Sequence, residues 1–195
     1  MIIASLFASV ATVLIELFTK DRGIVLVSYG FVILLLILLP RFFYYFDANI
    51  KKTVKKEWVK KLEYFGFFIV ILNAPASLIL HKLGFQYDRF LHFSAAFFAF
   101  IVFLLLWLPV MKINGEEIEK RKLLFYLFAI LFVSLFLWEI LQYNIDQIFG
   151  TKLFFDTEQE IKVDFLEDIL FGTCGLLAAV IYVNYFFKRF LLVLK

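Results

Sequence analysis

The sequence predicts an all-α polytopic membrane protein, a transmembrane helical bundle of about six spans with both termini in the cytoplasm. Three observations carry that prediction. The chain of 195 residues is 64% hydrophobic and 19% charged, with a mean hydropathy of +0.92, a composition foreign to soluble domains. Its apolar runs continue for about 17–25 residues, enough to cross roughly 30 Å of hydrocarbon at about 1.5 Å per residue, whereas a membrane β-barrel would alternate apolar and polar positions. Its Lys and Arg residues gather in alternate connections, the pattern that orients membrane helices.

The apolar segments fall at about 2–19, 24–40, 64–82, 89–111, 123–148 and 164–187, within a single integral membrane domain covering 1–195. Met1 to Leu17 lacks a positive n-region and a small-residue cleavage site, so it reads as a retained first span rather than a signal peptide. Pro40 is expected to end the second span. Asn73-Ala74-Pro75 lies inside the third, where Pro removes a donor and kinks the helix, and Pro109 lies near the end of the fourth. The 28 Phe and only 3 Pro suit long uninterrupted helices with aromatic side chains against lipid and one another.

Residues 47–62 read as a basic amphipathic helix on the inner membrane surface, with Ile50, Val54, Trp58 and Leu62 at steps of four and lysines drawn to anionic headgroups. A simple basic loop explains the same lysines equally well. The single cysteine, Cys174, excludes an internal disulfide and a thiolate zinc site. Its small neighbours in an apolar helix predict a buried, inert thiol.

Orientation follows from the charges. Of the 20 Lys and Arg, fourteen fall in the loops after the second and fourth segments and in the C-terminal tail, and six fall on the other side. The first group marks the cytoplasm. Eleven of the 17 Asp and Glu lie toward the opposite, outer half. An acidic outer face attracts cations and repels free anions.

Carboxylates inside apolar helices carry a desolvation cost and so require a reason. Asp88 and His92 stand four positions apart at the outer start of the fourth segment, on one helix face and about 6 Å apart along the axis. Asp164 and Asp168 repeat that spacing at the start of the sixth, with Glu167 alongside. Glu139 lies about two turns below the outer end of the fifth, and Gln142, Tyr143 and Asp146 extend its polar stripe. Asp156, Glu158 and Glu160 precede the sixth segment and suit a solvated acidic loop.

Three helices thus offer oxygen and imidazole donors at similar depth. Asp88, His92, Asp164 and Asp168 are the candidate metal ligands, and Glu139 is a further ligand or the catalytic general base. Carboxylates with one imidazole suit a single divalent ion, whether Mg²⁺, Mn²⁺, Fe²⁺ or Zn²⁺, which would polarise a phosphoryl group or activate water. Proton transfer by Glu139 and His92 without a metal is the other chemistry open to this set. Plainer roles exist for most of these residues. Asp88 suits the N-cap of the fourth segment, Asp164 with Glu167 has the form of a capping box, and His92 suits an interhelical hydrogen bond. Glu139 has no helix end within a turn and resists such an explanation. Gly172, Gly175, Ala178 and Ala179, with Ser94, Ala95, Ala96 and Ala99, provide small faces that let helices approach and share ligands.

Asp88-x-x-x-His92-Phe93, then Glu139 in a later span, then Asp164-x-x-x-Asp168 followed by Gly172, resembles the pattern of VanZ-like membrane proteins. The YjdF-like group is the nearest likeness, with Phe165 and Ile169 standing where its last motif has Thr and Met. The resemblance covers about residues 64–185. It implies a cell-envelope setting, since the name-giving member is linked to glycopeptide antibiotic resistance, and a shared polar site.

The expected function is accordingly that of a multi-pass cell-membrane protein with an outward-facing acidic and histidine site acting on envelope lipids or lipid-linked phosphates. A cation- or proton-coupled transporter is the alternative, and a non-catalytic membrane scaffold is a third. The bilayer is the expected partner, and nothing in the chain suits nucleic acid. No glycine-rich phosphate loop or nucleophile elbow occurs in it.

Overall fold

The computed structural model describes residues 38, 40–72, 87–149 and 160–195. The expected first span, nearly all of the second, and the third beyond residue 72, including the Pro75 kink, lie outside the described residues. Besides a helical stretch at residues 40–46, the described residues form five helices: α1 (Ala48–Thr53), α2 (Lys56–Ile71), α3 (Tyr87–Ile113), α4 (Lys120–Phe149) and α5 (Ile161–Leu191). Among the described residues three segments are long and apolar enough to cross a membrane, Tyr87–Ile113, Lys120–Leu141 and Lys162–Leu191. They contain the fourth, most of the fifth and the sixth expected spans. Large apolar side chains such as Phe103, Trp107, Val133, Trp138, Leu170 and Ile181 are exposed along them, the surface that hydrocarbon rather than water accommodates.

The chain divides into two compact units. One contains α1 and α2 with residues 105–118 and 188–195. Its residues 40–46 are helical, so the chain is helical from Pro40 onward, where the sequence predicts the end of the second span. The expected single helix over 47–62 is interrupted. Asp47 caps α1 through its side chain, accepting from the Asn49 and Ile50 amides at 2.7 and 3.1 Å. Val54 and Lys55 are then extended, and Val54 forms an isolated antiparallel bridge with Leu194.

The bridge is closed by Lys55 N–H donating to the Val193 carbonyl and Lys195 N–H to the Thr53 carbonyl, each at 2.8 Å. Lys55 Nζ and Lys61 Nζ donate to the Leu192 and Arg189 carbonyls at 2.9 and 3.1 Å, supplying donors to carbonyls that a helix C-terminus leaves without intrahelical partners. Val54, Trp58 and Leu62 are buried, so the apolar face read from the sequence packs inside the protein. Arg41 forms a two-bond pair with the buried Glu63 carboxylate at 2.7 and 2.9 Å.

The other unit contains 87–104 of α3, all of α4 and α5 up to Phe187, within the described residues. Its packing follows helical period. On α4, Leu123, Leu127 and Leu131 are buried at steps of four, and the same row continues through Leu135 to Glu139. On α5 the buried row runs Asp168, Gly172, Gly175, Leu176, Ala179, Val183 and Phe187. Each helix therefore carries an acidic residue on its packed face.

Cys174 departs from expectation, since it is exposed. It lies one residue before Gly175, about 100° around the helix from the packed row.

Candidate functional site

Asp88 lies in the first turn of α3, and His92 follows one turn later. Asp88 thus sits inside the helix rather than capping it. Glu139 comes from α4 and Asp168 from α5. Glu139 and Asp168 are each 1% exposed and His92 is 9%, so the cluster is desolvated except at Asp88.

His92 is the centre of the cluster. Its Nε2 lies 3.4 Å from Asp168 Oδ1 and 3.6 Å from Asp88 Oδ1, and its Nδ1 lies 3.6 Å from Glu139 Oε1. These separations exceed the roughly 2.7–3.2 Å of a good N–H to O hydrogen bond. Asp88, His92 and Asp168 each present a donor atom within 4.8 Å of the others, and this buried group could hold a metal ion.

Four buried side-chain polar atoms lack a protein hydrogen bond among the described residues: Glu139 Oε1, both Asp168 carboxylate oxygens and Thr173 Oγ1. Three of the four belong to this cluster. Buried polar atoms are nearly always partnered, so the concentration of exceptions here is a property of the site.

Asp164 stands one turn before Asp168 on α5 and is half-buried. It lies close enough to His92, Glu139 and Asp168 to act on them electrostatically, yet it is not among the three grouped donors. Helix α5 begins at Ile161, and the Glu160 carbonyl accepts from the Val163 and Asp164 amides at 2.9 and 3.1 Å. Asp164 therefore lies inside the helix, which displaces the capping-box reading of Asp164 and Glu167. Tyr143 contacts Phe165, with ring centroids 5.6 Å apart. The side chains of Gln142 and Asp146, and Asp156 and Glu158 altogether, lie outside the described residues; Glu160 is exposed.

Residues 1–189 match the family described as Predicted membrane protein (DUF2238). The chain belongs to this family. No curated protein and no solved structure matches it.

Within this DUF2238 chain two features frame the cluster, and the first of them is one that the sequence did not disclose. Arg89, next to Asp88, pairs with Glu167, next to Asp168, through Nε to Oε2 at 2.8 Å and Nη2 to Oε1 at 2.7 Å. The guanidinium also lies over the Phe171 ring, 5.9 Å from its centroid. This two-bond pair ties α3 to α5 directly beside the candidate ligands. The only sequence signal is that each partner adjoins a candidate ligand.

Gly175 sets how closely those helices approach. A Cβ there would collide with the Phe93 carbonyl oxygen and lie 2.9 Å from its carbon. A Cβ at Gly172 would lie 2.6 and 2.9 Å from the Leu135 methyls on α4. The small face expected from sequence thus brings α5 against α3 one residue past His92, and against α4 one turn before Glu139.

Proposed function

We propose that this protein is a VanZ/YjdF-like multi-pass protein of the cell membrane whose Asp88, His92 and Asp168 bind one divalent metal ion and act on envelope lipids or lipid-linked phosphates. One observation carries the reading. Asp168 Oδ1 and Asp88 Oδ1 stand 3.4 and 3.6 Å from His92 Nε2, longer than a good hydrogen bond and in the range by which two ligands of one ion are separated, so these three residues would hold a divalent ion between them. The unpartnered Asp168 oxygens supply acceptors that a cation would satisfy. Asp164 is the further carboxylate assigned to the remaining coordination positions.

A divalent ion held by Asp88, His92 and Asp168 would supply Lewis acidity toward a phosphoryl oxygen or a bound water. Asp88 and Asp168 supply the negative charge that binds it, and His92 the softer nitrogen donor that suits Zn²⁺, Fe²⁺ or Mn²⁺ better than Mg²⁺. Among the described residues, α3 beyond the cluster buries Phe100, Ile101 and Leu104. That apolar continuation weighs against ion or proton passage along this helix and favours chemistry at a closed site.

The test is a lipid profile of a deletion strain complemented with the wild-type chain, His92→Ala or Asp168→Asn. Restoration of the lipid-phosphate pool by wild type alone is expected. An unchanged profile on deletion, or equal restoration by both variants, overturns the reading.

A further inference from the structure

By residue type Glu139 suits a ligand or a general base, yet its place in the cluster fits neither role best. The two nitrogens of an imidazole point in divergent directions, so a group facing Nδ1 cannot share an ion with groups facing Nε2. Asp88 and Asp168 face Nε2, whereas Glu139 Oε1 faces Nδ1 at 3.6 Å. Glu139 also stands outside the group of three mutually close donors. Its Oε1 is buried with no protein hydrogen bond, and the whole residue is 1% exposed. Such an oxygen needs a donor, and an Nδ1–H that moves by a few tenths of an ångström supplies one.

We infer that Glu139 is a positioning residue: its carboxylate accepts the Nδ1–H of His92, fixing the tautomer that presents the Nε2 lone pair to an ion held with Asp88 and Asp168. This rests on the metal reading and deepens it. A ligating histidine whose other ring nitrogen donates to a carboxylate is held in orientation and made a stronger donor, and removing such a partner lowers metal affinity by roughly 10- to 100-fold. The helix architecture serves the arrangement. Glu139 continues the packed row of Leu127, Leu131 and Leu135 on α4, so it reaches the imidazole from a rigid third helix, while the Nε2 side is met from α3 and α5.

The experiment is Zn²⁺ titration of the purified chain in detergent for wild type, Glu139→Leu, Glu139→Gln and His92→Ala, with ¹⁵N-histidine spectra of the loaded forms. The chain has only 2 histidines, His81 and His92, so the spectrum of His92→Ala assigns both. Zn²⁺ at Nε2 with a slowly exchanging Nδ1–H is expected in wild type. Glu139→Leu should bind one Zn²⁺ roughly 10- to 100-fold more weakly with a shifted, fast-exchanging Nδ1–H. Glu139→Gln, whose amide oxygen still accepts, should lose less.

Affinity and Nδ1–H signal unchanged in Glu139→Leu would overturn the inference, as would a loss as complete as in His92→Ala, which would make Glu139 a ligand. Undiminished Zn²⁺ binding by His92→Ala would instead overturn the metal reading itself.

Discussion

The indole Nε1–H of Trp58 donates to the backbone carbonyl of Leu105 at 2.6 Å in a buried setting. Leu105 lies four residues before Pro109, which sits inside α3 and has no N–H to return. The tryptophan therefore fills the acceptor that the proline leaves open, and its burial is explained by that bond as much as by its apolar area. Trp58→Phe should destabilise the protein by about 1–3 kcal/mol, the cost of a stranded buried carbonyl with some lost packing. In a Pro109→Ala background, where the backbone N–H restored by the substitution reaches the Leu105 carbonyl, the same change should cost about half as much or less. A double-mutant cycle on unfolding in detergent checks this, and equal penalties in both backgrounds would contradict it.

Arg89 and Glu167 should be coupled in the same way. Each side chain is 28% exposed, so the pair lies between the small worth of surface pairs and the large penalty of breaking a buried one. Removing either partner should lower stability by about 1–3 kcal/mol. Arg89→Lys should behave almost like a deletion, because an ammonium cannot reproduce the two-bond fork. Unfolding midpoints of Arg89→Lys, Glu167→Gln and the double variant measure the coupling.

The two glycines of α5 should differ from each other. Gly175→Ala meets backbone at Phe93, which cannot yield without moving α3, whereas Gly172→Ala meets the flexible tip of Leu135. Gly175→Ala should cost about 1–3 kcal/mol and Gly172→Ala less than about 1 kcal/mol. Because Phe93 adjoins His92, only the first should also weaken divalent-ion binding, which parallel thermal unfolding and titration would show.

Part of this architecture is legible in the sequence, because long apolar runs mark the spanning helices and a carboxylate such as Glu139, with no helix end within a turn, stands out inside one. Which face of a uniformly apolar helix packs, as the row Leu123, Leu127 and Leu131 does, is not. Helix ends are less legible. Lys120, Arg121 and Lys122 are helical in α4 although they lie before the apolar segment, since charged residues with long stems are good helix formers.

Features made by distant partners leave no local trace. The break at Val54 depends on Leu194, beside a Lys55-to-Leu192 bond spanning 137 positions, and the Arg89–Glu167 pair spans 78. Cys174 is exposed against expectation because small neighbours mark which face packs only once the register of α5 is known. The candidate ligands are found by type and spacing, but spacing along one helix cannot tell which side of His92 each carboxylate meets.

Metal analysis of the purified protein in detergent tests the central claim most directly, comparing wild type with the His92→Ala, Asp168→Asn double variant after incubation with Mn²⁺ or Zn²⁺. About one divalent ion per chain in wild type, lost in the variant, is the expected result for donors spaced as ligands of one ion. No ion in either form, or equal occupancy in both, would contradict it.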